Sequence, residues 1–477
     1  MPNESHFKDW KEREEIAERM VPLIGRLYRE FGVIVTIYGK PLVHHTPTNI
    51  IKAHKFARKF DGEDAVNMVE SERVLKHLIE LNLAPSRVDV GKLISRSRKS
   101  DTSIDDYTRD ALASIIDRKS AILDEPRDVV LYGFGRIGRL LARMLVNKVG
   151  GGDKARLRAV VVRPKGGNDL AKRASLLRRD SVHGNFEGSI DLDYENNALI
   201  INGNHVKVIY SNSPDSIDYT EYGINNAVVI DNTGKWRDRK GLGLHLQAKG
   251  VSKVLLTAPG KGDIPNIVFG VNEEMASADE TIYSAASCTT NAVVPPLKVI
   301  EDVYGIVSGH LETIHAFTND QNLTDNYHPK ARRNRSAPMN LVITTTGAAT
   351  AASRALPSLE GKLTGSAIRV PTPNVSLAIL NLHLEKEVTR DEVNETLRQA
   401  SMDGPLQQQI DWTAAPDMVS IDQVGNDHAG AIDATATIAD GKKAILYVWY
   451  DNEYGYSAQC IRLLGRIIGM ERPLLPA

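Results

Sequence analysis

The chain has little cysteine: only Cys288 and Cys460 in 477 residues. Two thiols in such different contexts do not make a disulfide framework, so a reducing compartment is the natural home. No apolar run approaches the roughly 20 residues that a membrane-spanning helix needs. The opening Met1-Pro2-Asn3-Glu4-Ser5 lacks the charged-then-apolar profile of a signal peptide. The expectation is a cytoplasmic protein with no membrane partner. Charge of one sign is also missing, since the formal net charge is −1 with 25% charged residues. Such neutrality speaks against a nucleic-acid partner. Internal repeats and low-complexity segments are absent. What remains is an ordinary globular composition, 42% hydrophobic, and a length that suits roughly three domains of about 100–200 residues each.

Three segments organise the chain. Residues 1–125 are charge-rich and read as a mainly helical N-terminal extension. Apolar residues recur there at helical spacing through Phe7, Trp10, Ile16, Met20, Ile24, Leu27 and Phe31, and again through Val66, Val69, Val74, Leu78 and Leu81. Ser103-Ile104-Asp105-Asp106 has capping-box form and opens a further helix. Asp124-Glu125-Pro126 marks a boundary. Over 126–287 strands alternate with helices, as a doubly wound parallel α/β sheet requires. Over 288–451 longer strand-like runs dominate, such as Val375 to Glu385 and Ala444 to Tyr450. The last helix, from about Tyr456, is expected to return to the second segment, so that 452–477 completes 126–287.

Two motifs carry chemistry. Cys288 stands in Ser287-Cys288-Thr289-Thr290-Asn291, and His315 follows on the next predicted strand. That is the outline of a thiol nucleophile with its base, because a thiol of pKa about 8.5 is mostly protonated at neutral pH and a nearby imidazole raises its thiolate fraction. Taken alone, the pair reads more readily as a buried small residue and a satisfied core histidine. The run Val129 to Arg139 decides between the two. It reads as a short apolar strand, a turn with Gly133, Gly135 and Gly138 at G-x-G-x-x-G spacing, and a helix. This is a dinucleotide-binding fingerprint in its required context. The glycines permit the turn, the approach of a pyrophosphate and close helix–strand packing, while the helix N-terminus offers N–H groups to phosphate. Gly133, Gly135, Arg136 and Ile137 are therefore candidate coenzyme residues. Thiol and nicotinamide together point to oxidation of an aldehyde through a thioester.

Over nearly all of residues 126–477 the chain resembles the phosphorylating glyceraldehyde-3-phosphate dehydrogenases. The resemblance lies in an ordered set of motifs: GFGRIGR from Gly133, RDSVHGNF from Arg179, DNTGKW from Asp231, LLTAPGKG from Leu255, ASCTTNAVVPPLKVI from Ala286, TTTGAATA from Thr344, IRVPTPNVS from Ile368 and WYDNEYGYS from Trp449. It implies a Rossmann nucleotide-binding domain, an α+β catalytic domain with a mixed sheet, and NAD or NADP as coenzyme. The implied substrates are an aldehyde phosphate and inorganic phosphate, with no metal. By the family pattern Cys288 attacks the aldehyde and His315 handles the protons. Ser287, Thr289, Thr346 and Gly347 correspond to the site of the attacking phosphate, and Thr318, Arg333 and Arg369 to anion recognition. Asn452 fixes the nicotinamide amide, and Thr233 and Gly234 border its ribose and phosphates. Members usually assemble as homotetramers through a loop that corresponds here to about Phe317 to Met339.

Two departures from the pattern bear on specificity. NAD-specific members carry an acidic residue at the end of the second strand, whereas this strand ends in Val162-Arg163-Pro164-Lys165. Pro164 cannot accept a ribose hydroxyl, and Arg163 and Lys165 suit a 2′-phosphate, although Asp169 stands in the following loop to read the ribose instead. Asp320 takes a position where many glycolytic members have threonine, which resembles the biosynthetic branch and erythrose-4-phosphate dehydrogenase. That enzyme is the alternative reading, ahead of a binding protein that kept the fold or a nucleic-acid-binding protein. Arg332, next to Arg333, reads as part of a solvated charge run.

Overall fold

The computed structural model describes residues 2–62, 66–117, 123, 125–148 and 154–476. The chain divides into two compact units, Met1–Glu125 with Gly469–Ala477, and Pro126–Ile468.

The first unit has helices at Pro2–Phe31, Pro47–Asp61, Met68–Glu80, Val90–Ser97 and Ile104–Ala111. Met20, Ile24, Leu27, Val74, Leu78 and Leu81 pack into one core. Phe7 and Val69 share the helical spacing but remain 61% and 58% exposed, because each lies outside the face that the other helices cover. A four-stranded sheet accompanies the helices, in the order Lys40–Pro41, Ile34–Ile37, Arg87–Asp89, Leu474–Leu475. Ile34-Val35-Thr36-Ile37 is β-branched throughout, which suits a strand. Tyr38 and Gly39 turn it back with φ of 44° and 77°, the left-handed pair that a two-residue hairpin needs. Buried Asp89 accepts from Thr36 Oγ1, from the N–H groups of Tyr38 and Gly39, and from Lys92 N. One carboxylate thus secures the hairpin and caps the helix Val90–Ser97. The Ser103 cap is also present, its hydroxyl accepting from Asp106 N.

The second unit holds two eight-stranded sheets. The first runs Ile282–Ser284, Val251–Leu256, Ala227–Asp231, Arg127–Tyr132, Ala155–Val162, Asn204–Tyr210, Ala198–Ile201, Ile190–Asp193. Its first six strands are mutually parallel, and Ala198–Ile201 runs antiparallel to both its neighbours, Asn204–Tyr210 and Ile190–Asp193. The chain starts at the central strand Arg127–Tyr132, builds outward on one side and then reverses to Ala227–Asp231. The crevice between those two strands is the switch point where such sheets hold ligands. The second sheet is mixed: Val342–Thr344, Leu363–Val370, Ile306–Ala316, Ser376–Leu384, Lys443–Tyr450, Gly430–Asp433, Ile410–Thr413, with Ile438–Asp440 paired to Lys443–Tyr450. The apolar helix Cys288–Tyr304 lies in the core beneath it. This is a Rossmann domain plus a mixed-sheet catalytic domain, preceded by a mainly helical extension.

The final helix, Tyr454–Ile467, packs against Arg136–Lys148 and Cys288–Tyr304. One expectation needs correction here. The return of the chain does not extend to its end, because Gly469, at φ 73°, closes the helix and Leu474–Leu475 adds to the sheet of the first unit beside Arg87–Val88.

Candidate active site

The turn after Arg127–Tyr132 explains its own glycines. Gly133 has φ 100°, and a Cβ on Gly138 would lie 2.4 Å from the Gly133 carbonyl oxygen. Only a bare Cα lets the helix sit so close to the strand. A Cβ on Gly135 would meet nothing within 4 Å. Packing therefore does not require that glycine, and the open space beside the helix N-terminus is where a pyrophosphate fits. Across the switch point Thr233 follows Asp231, whose carboxylate accepts from Thr233 N–H and Oγ1 at 2.7 Å. The same carboxylate meets His245 Nε2 at 3.0 Å. Asn232 Nδ2 donates to Gly133 O at 3.4 Å, tying the two loops together. Gly234, at φ 63°, continues the second loop.

These loops wall a cavity of about 580 Å³ that is also lined by Arg163, Lys165, Asp169, Lys172, Arg173, Lys235 and Trp236. The residues present fit a dinucleotide. Among the described residues Asp169 is the one acid on the cavity wall, and its carboxylate accepts from Arg173 Nε at 2.7 Å. At Arg136 the motif offers a backbone N–H, and the side chain is engaged elsewhere. Its guanidinium is paired with Glu453 at 2.5 and 2.6 Å and with Asp180 at 3.2 Å, so only its backbone remains to face a coenzyme.

Cys288 is the first residue of the helix Cys288–Tyr304. Its N-cap, Ser287, accepts from Thr290 N at 3.0 Å, and the Ser287 and Thr290 hydroxyls lie 2.6 Å apart. Ala286, buried at φ 54°, makes the bend from strand to helix. His315 lies near the end of Ile306–Ala316 and brings Nε2 to 3.4 Å from Cys288 Sγ. Arg369 reaches the same place because strand Leu363–Val370 runs parallel to it with His315 opposite Arg369. Arg369 Nη1 lies 2.7 Å from His315 Nδ1 and donates to Ala316 O at 2.8 Å. His315 Nδ1 is also 2.7 Å from Ala316 O. In the tautomer with Nδ1–H donating to that carbonyl, Nε2 is bare and faces the sulfur, as a base requires, and Arg369 Nη1 gives a hydrogen to Ala316 O and none to the ring.

Burial dominates the charge state. It pushes the Cys288 thiol up, offset in part by Arg369. It pulls His315 down to about 3, with the Arg369 and Arg333 charges acting in the same direction. The resting pair is thus a thiol and a neutral imidazole. Tyr450, which the sequence reading did not single out, completes the wall: its hydroxyl lies 3.0 Å from Thr289 Oγ1 and 2.7 Å from Thr313 Oγ1. Its ring stands edge-on to His315 at 6.0 Å. Its only sequence signal was its place two residues before Asn452.

The other candidates divide. Arg333 is buried and forms an ion pair with Asp320, so the carboxylate that departs from the family pattern is neutralised. Thr318 O accepts from Gln321 N in the same turn. Thr346 and Gly347 precede the helix Ala348–Ala355, where Thr346 Oγ1 accepts from Ala348 N at 3.1 Å. They make no hydrogen bond to the Cys288–His315 pair among the described residues. Asn452 is buried, and its Oδ1 accepts from Ser376 Oγ at 2.8 Å.

A family model described as "Glyceraldehyde 3-phosphate dehydrogenase, NAD binding domain" matches residues 127–239, and one described as "Glyceraldehyde 3-phosphate dehydrogenase, C-terminal domain" matches residues 287–452. The chain belongs to the glyceraldehyde-3-phosphate dehydrogenase family. It is 56% identical over 460 residues to a "Glyceraldehyde-3-phosphate dehydrogenase-like protein" of Pseudomonas aeruginosa, covering 96% of this chain and all of that one. It is 42% identical over 337 residues to "Glyceraldehyde-3-phosphate dehydrogenase A, chloroplastic" of Zea mays, covering 70% of this chain and 81% of that one. It is 40% identical over 347 residues to "Glyceraldehyde-3-phosphate dehydrogenase 2" of Bacillus subtilis, covering 71% and 96%. The chain is therefore a dehydrogenase of this family that uses NAD or NADP. Among the described residues no helix is long and apolar enough to cross a membrane.

Proposed function

We propose that the enzyme oxidises D-glyceraldehyde 3-phosphate reversibly to 1,3-bisphosphoglycerate, with inorganic phosphate as acyl acceptor. The observation that carries this reading is the 3.4 Å approach of Cys288 Sγ to His315 Nε2, with Arg369 in register beside the imidazole. His315 Nε2 takes the thiol proton as the sulfur bonds to the aldehyde carbon, giving a thiohemiacetal. The Cys288 N–H, in the first turn of its helix where backbone donors have no intrahelical acceptor, steadies the oxyanion. A donor of this kind is worth about 3–4 kcal/mol in other acyl-transfer enzymes. A bound nicotinamide supplies the hydride acceptor. His315 returns the thiol proton to the oxyanion, giving the thiohemiacetal hydroxyl, and takes it up again for release to solvent as the thiohemiacetal becomes a thioester. A phosphate oxygen then adds to the thioester carbon, the C–S bond breaks, and Cys288 is released as thiolate. Ser287, Thr289, Thr346 and Gly347 hold the attacking phosphate, and Arg369, with Thr318 and Arg333, holds the phosphate already on the substrate. The fork of Arg369 suits that work. Asn452 holds the nicotinamide amide.

Erythrose 4-phosphate is the second candidate substrate, favoured by Asp320, which stands where many glycolytic members have threonine and is paired with Arg333. Initial rates with each aldehyde, with and without inorganic phosphate, test the reading. Strict phosphate dependence with glyceraldehyde 3-phosphate is expected. Faster turnover of erythrose 4-phosphate with water as acceptor would overturn it. A homotetramer is supported by Leu323, Tyr327 and Met339, exposed by 70%, 85% and 79% on the loop Phe317 to Met339.

A further inference from the structure

Ser376 is the first residue of the strand Ser376–Leu384 and is 1% exposed. Its hydroxyl accepts from Ala316 N at 3.1 Å and lies 2.8 Å from Asn452 Oδ1. A hydroxyl has one hydrogen. The Ala316 N–H takes one lone pair of that oxygen, and among the described residues Asn452 is the acceptor within reach of the hydroxyl hydrogen, so the atom of Asn452 that faces Ser376 is Oδ1. The side chain of Asn452 is thereby fixed in one of its two flip states, with Nδ2 turned the other way and without a partner among the described residues.

The backbone around Ser376 is held in an unfavourable shape. Val375, buried and β-branched, sits at φ 64°. Such a residue is a genuine outlier in the left-handed region and persists only where the surroundings over-determine it. The surroundings here are the two side chains on either side of it. Asn374 Nδ2 donates to Asp451 Oδ1 at 2.9 Å while Ser376 donates to Asn452. Asp451 also meets His183 Nε2 at 2.9 Å and accepts from Gly425 N at 2.9 Å, so it is a rigid anchor. The strained turn delivers one donor to each residue of the Asp451-Asn452 pair.

We infer that Ser376 is a positioning residue for the coenzyme: by holding Asn452 Oδ1 it presents the Nδ2 donors to the carboxamide of the nicotinamide. The inference rests on the reading that Asn452 contacts that carboxamide. Ser376 touches neither coenzyme nor aldehyde and acts only through Asn452.

The test is equilibrium binding by calorimetry to the full chain, with NAD and, as control, ADP-ribose, which lacks the nicotinamide. Loss of one hydrogen bond corresponds to roughly three- to tenfold in affinity. Ser376→Ala and Asn452→Ala are each expected to weaken NAD by about that factor and ADP-ribose by less than about twofold. The double variant is expected to be no weaker than Asn452→Ala alone, since residues acting as one unit are not additive. Ser376→Cys keeps the volume with a weak donor and is expected to fall between wild type and Ser376→Ala. It also serves if the alanine variant folds poorly. If Ser376→Ala and Ser376→Cys weaken both ligands equally, or if the two single effects add in full, Ser376 is merely structural and the inference fails. If Asn452→Ala leaves the NAD to ADP-ribose ratio unchanged, the assignment of Asn452 fails first and the inference with it.

Discussion

Gly135→Ala separates coenzyme binding from folding, and the structure sets the size of both effects. An added Cβ at Gly135 has no neighbour within 4 Å, so its effect on stability is expected to stay within about 0.5 kcal/mol. A pyrophosphate oxygen must come within about 3 Å of a backbone N–H at this turn to be held. A methyl carbon keeps other atoms at about 3.5 Å or more. The displacement removes one bond of a charged acceptor, worth about 1.5–3 kcal/mol, or roughly 10- to 150-fold in the dissociation constant of NAD and NADP. Gly138→Ala is the opposite case. Its Cβ would stand 2.4 Å from the Gly133 carbonyl oxygen, a backbone atom that cannot rotate away, so a stability loss of about 1–3 kcal/mol is expected. Calorimetric titration with each coenzyme and a thermal scan of each variant measure both quantities. If Gly135→Ala binds coenzyme within twofold of wild type, the pyrophosphate does not lie on this turn and the fit argued from it is wrong.

Cys288→Ser is expected to reduce turnover below a few per cent while leaving coenzyme affinity intact. Iodoacetate should label Cys288 well ahead of Cys460, which is fully buried and whose thiol burial pushes up to about 12; peptide mapping checks the order. Activity with NADP is expected, given the cations around Asp169, an acid already paired with Arg173. Pro164→Asp should shift preference toward NAD, and a wild type inert with millimolar NADP would refute the idea. Burial holds His54 down at about 4, its ring facing only Ile50 O and Ser71 Oγ. The unfolded chain therefore takes up its proton near pH 6.5 while the folded one does not, and stability should fall by about 2 kcal/mol from pH 7 to pH 5 from this group. Urea unfolding followed by Trp10 fluorescence should show that slope reduced in His54→Gln. Residues 126–468 alone should remain soluble and bind coenzyme, because every candidate site residue lies between Gly133 and Asn452. An insoluble product would make residues 1–125 part of the core.

The parts of this protein that were readable in advance are those whose meaning is local. The glycine turn is legible because strand, turn and helix follow within a dozen residues, and the Ser103 cap because donor and acceptor are three apart. Long strands such as Ser376–Leu384 show their alternation directly. The small sheet of the first unit escaped notice because its strands are four residues or fewer and one of them, Leu474–Leu475, comes from the far end of the chain. No periodicity spans that separation. The same limit hid the roles of Tyr450 and Ser376. They stand opposite each other in register although more than 70 residues apart in sequence, and only the pairing brings their hydroxyls to the two sides of the site. The partners of the Arg136 guanidinium were hidden in the same way, because Glu453 and Asp180 are both far from it in sequence.

The charges around Cys288 give a physical reason for a phosphorylated aldehyde. Burial leaves thiol and imidazole neutral at rest, and of the two guanidiniums beside them Arg333 is balanced by Asp320. Arg369 has no acidic partner among the described residues. It donates to a carbonyl and lies against the imidazole, and its Nε is buried without an acceptor. A buried, incompletely satisfied cation is costly and favours any anion that can reach it. Its charge also lowers the basicity of His315. A substrate phosphate on Arg369 offsets that charge, so in the proposed reading the imidazole becomes the stronger base when the aldehyde arrives beside the sulfur. An aldehyde without the phosphate leaves Arg369 uncompensated and His315 a poor base. Removal of the phosphate should accordingly lower kcat as well as raise KM, whereas an anion site that served only for docking would raise KM alone.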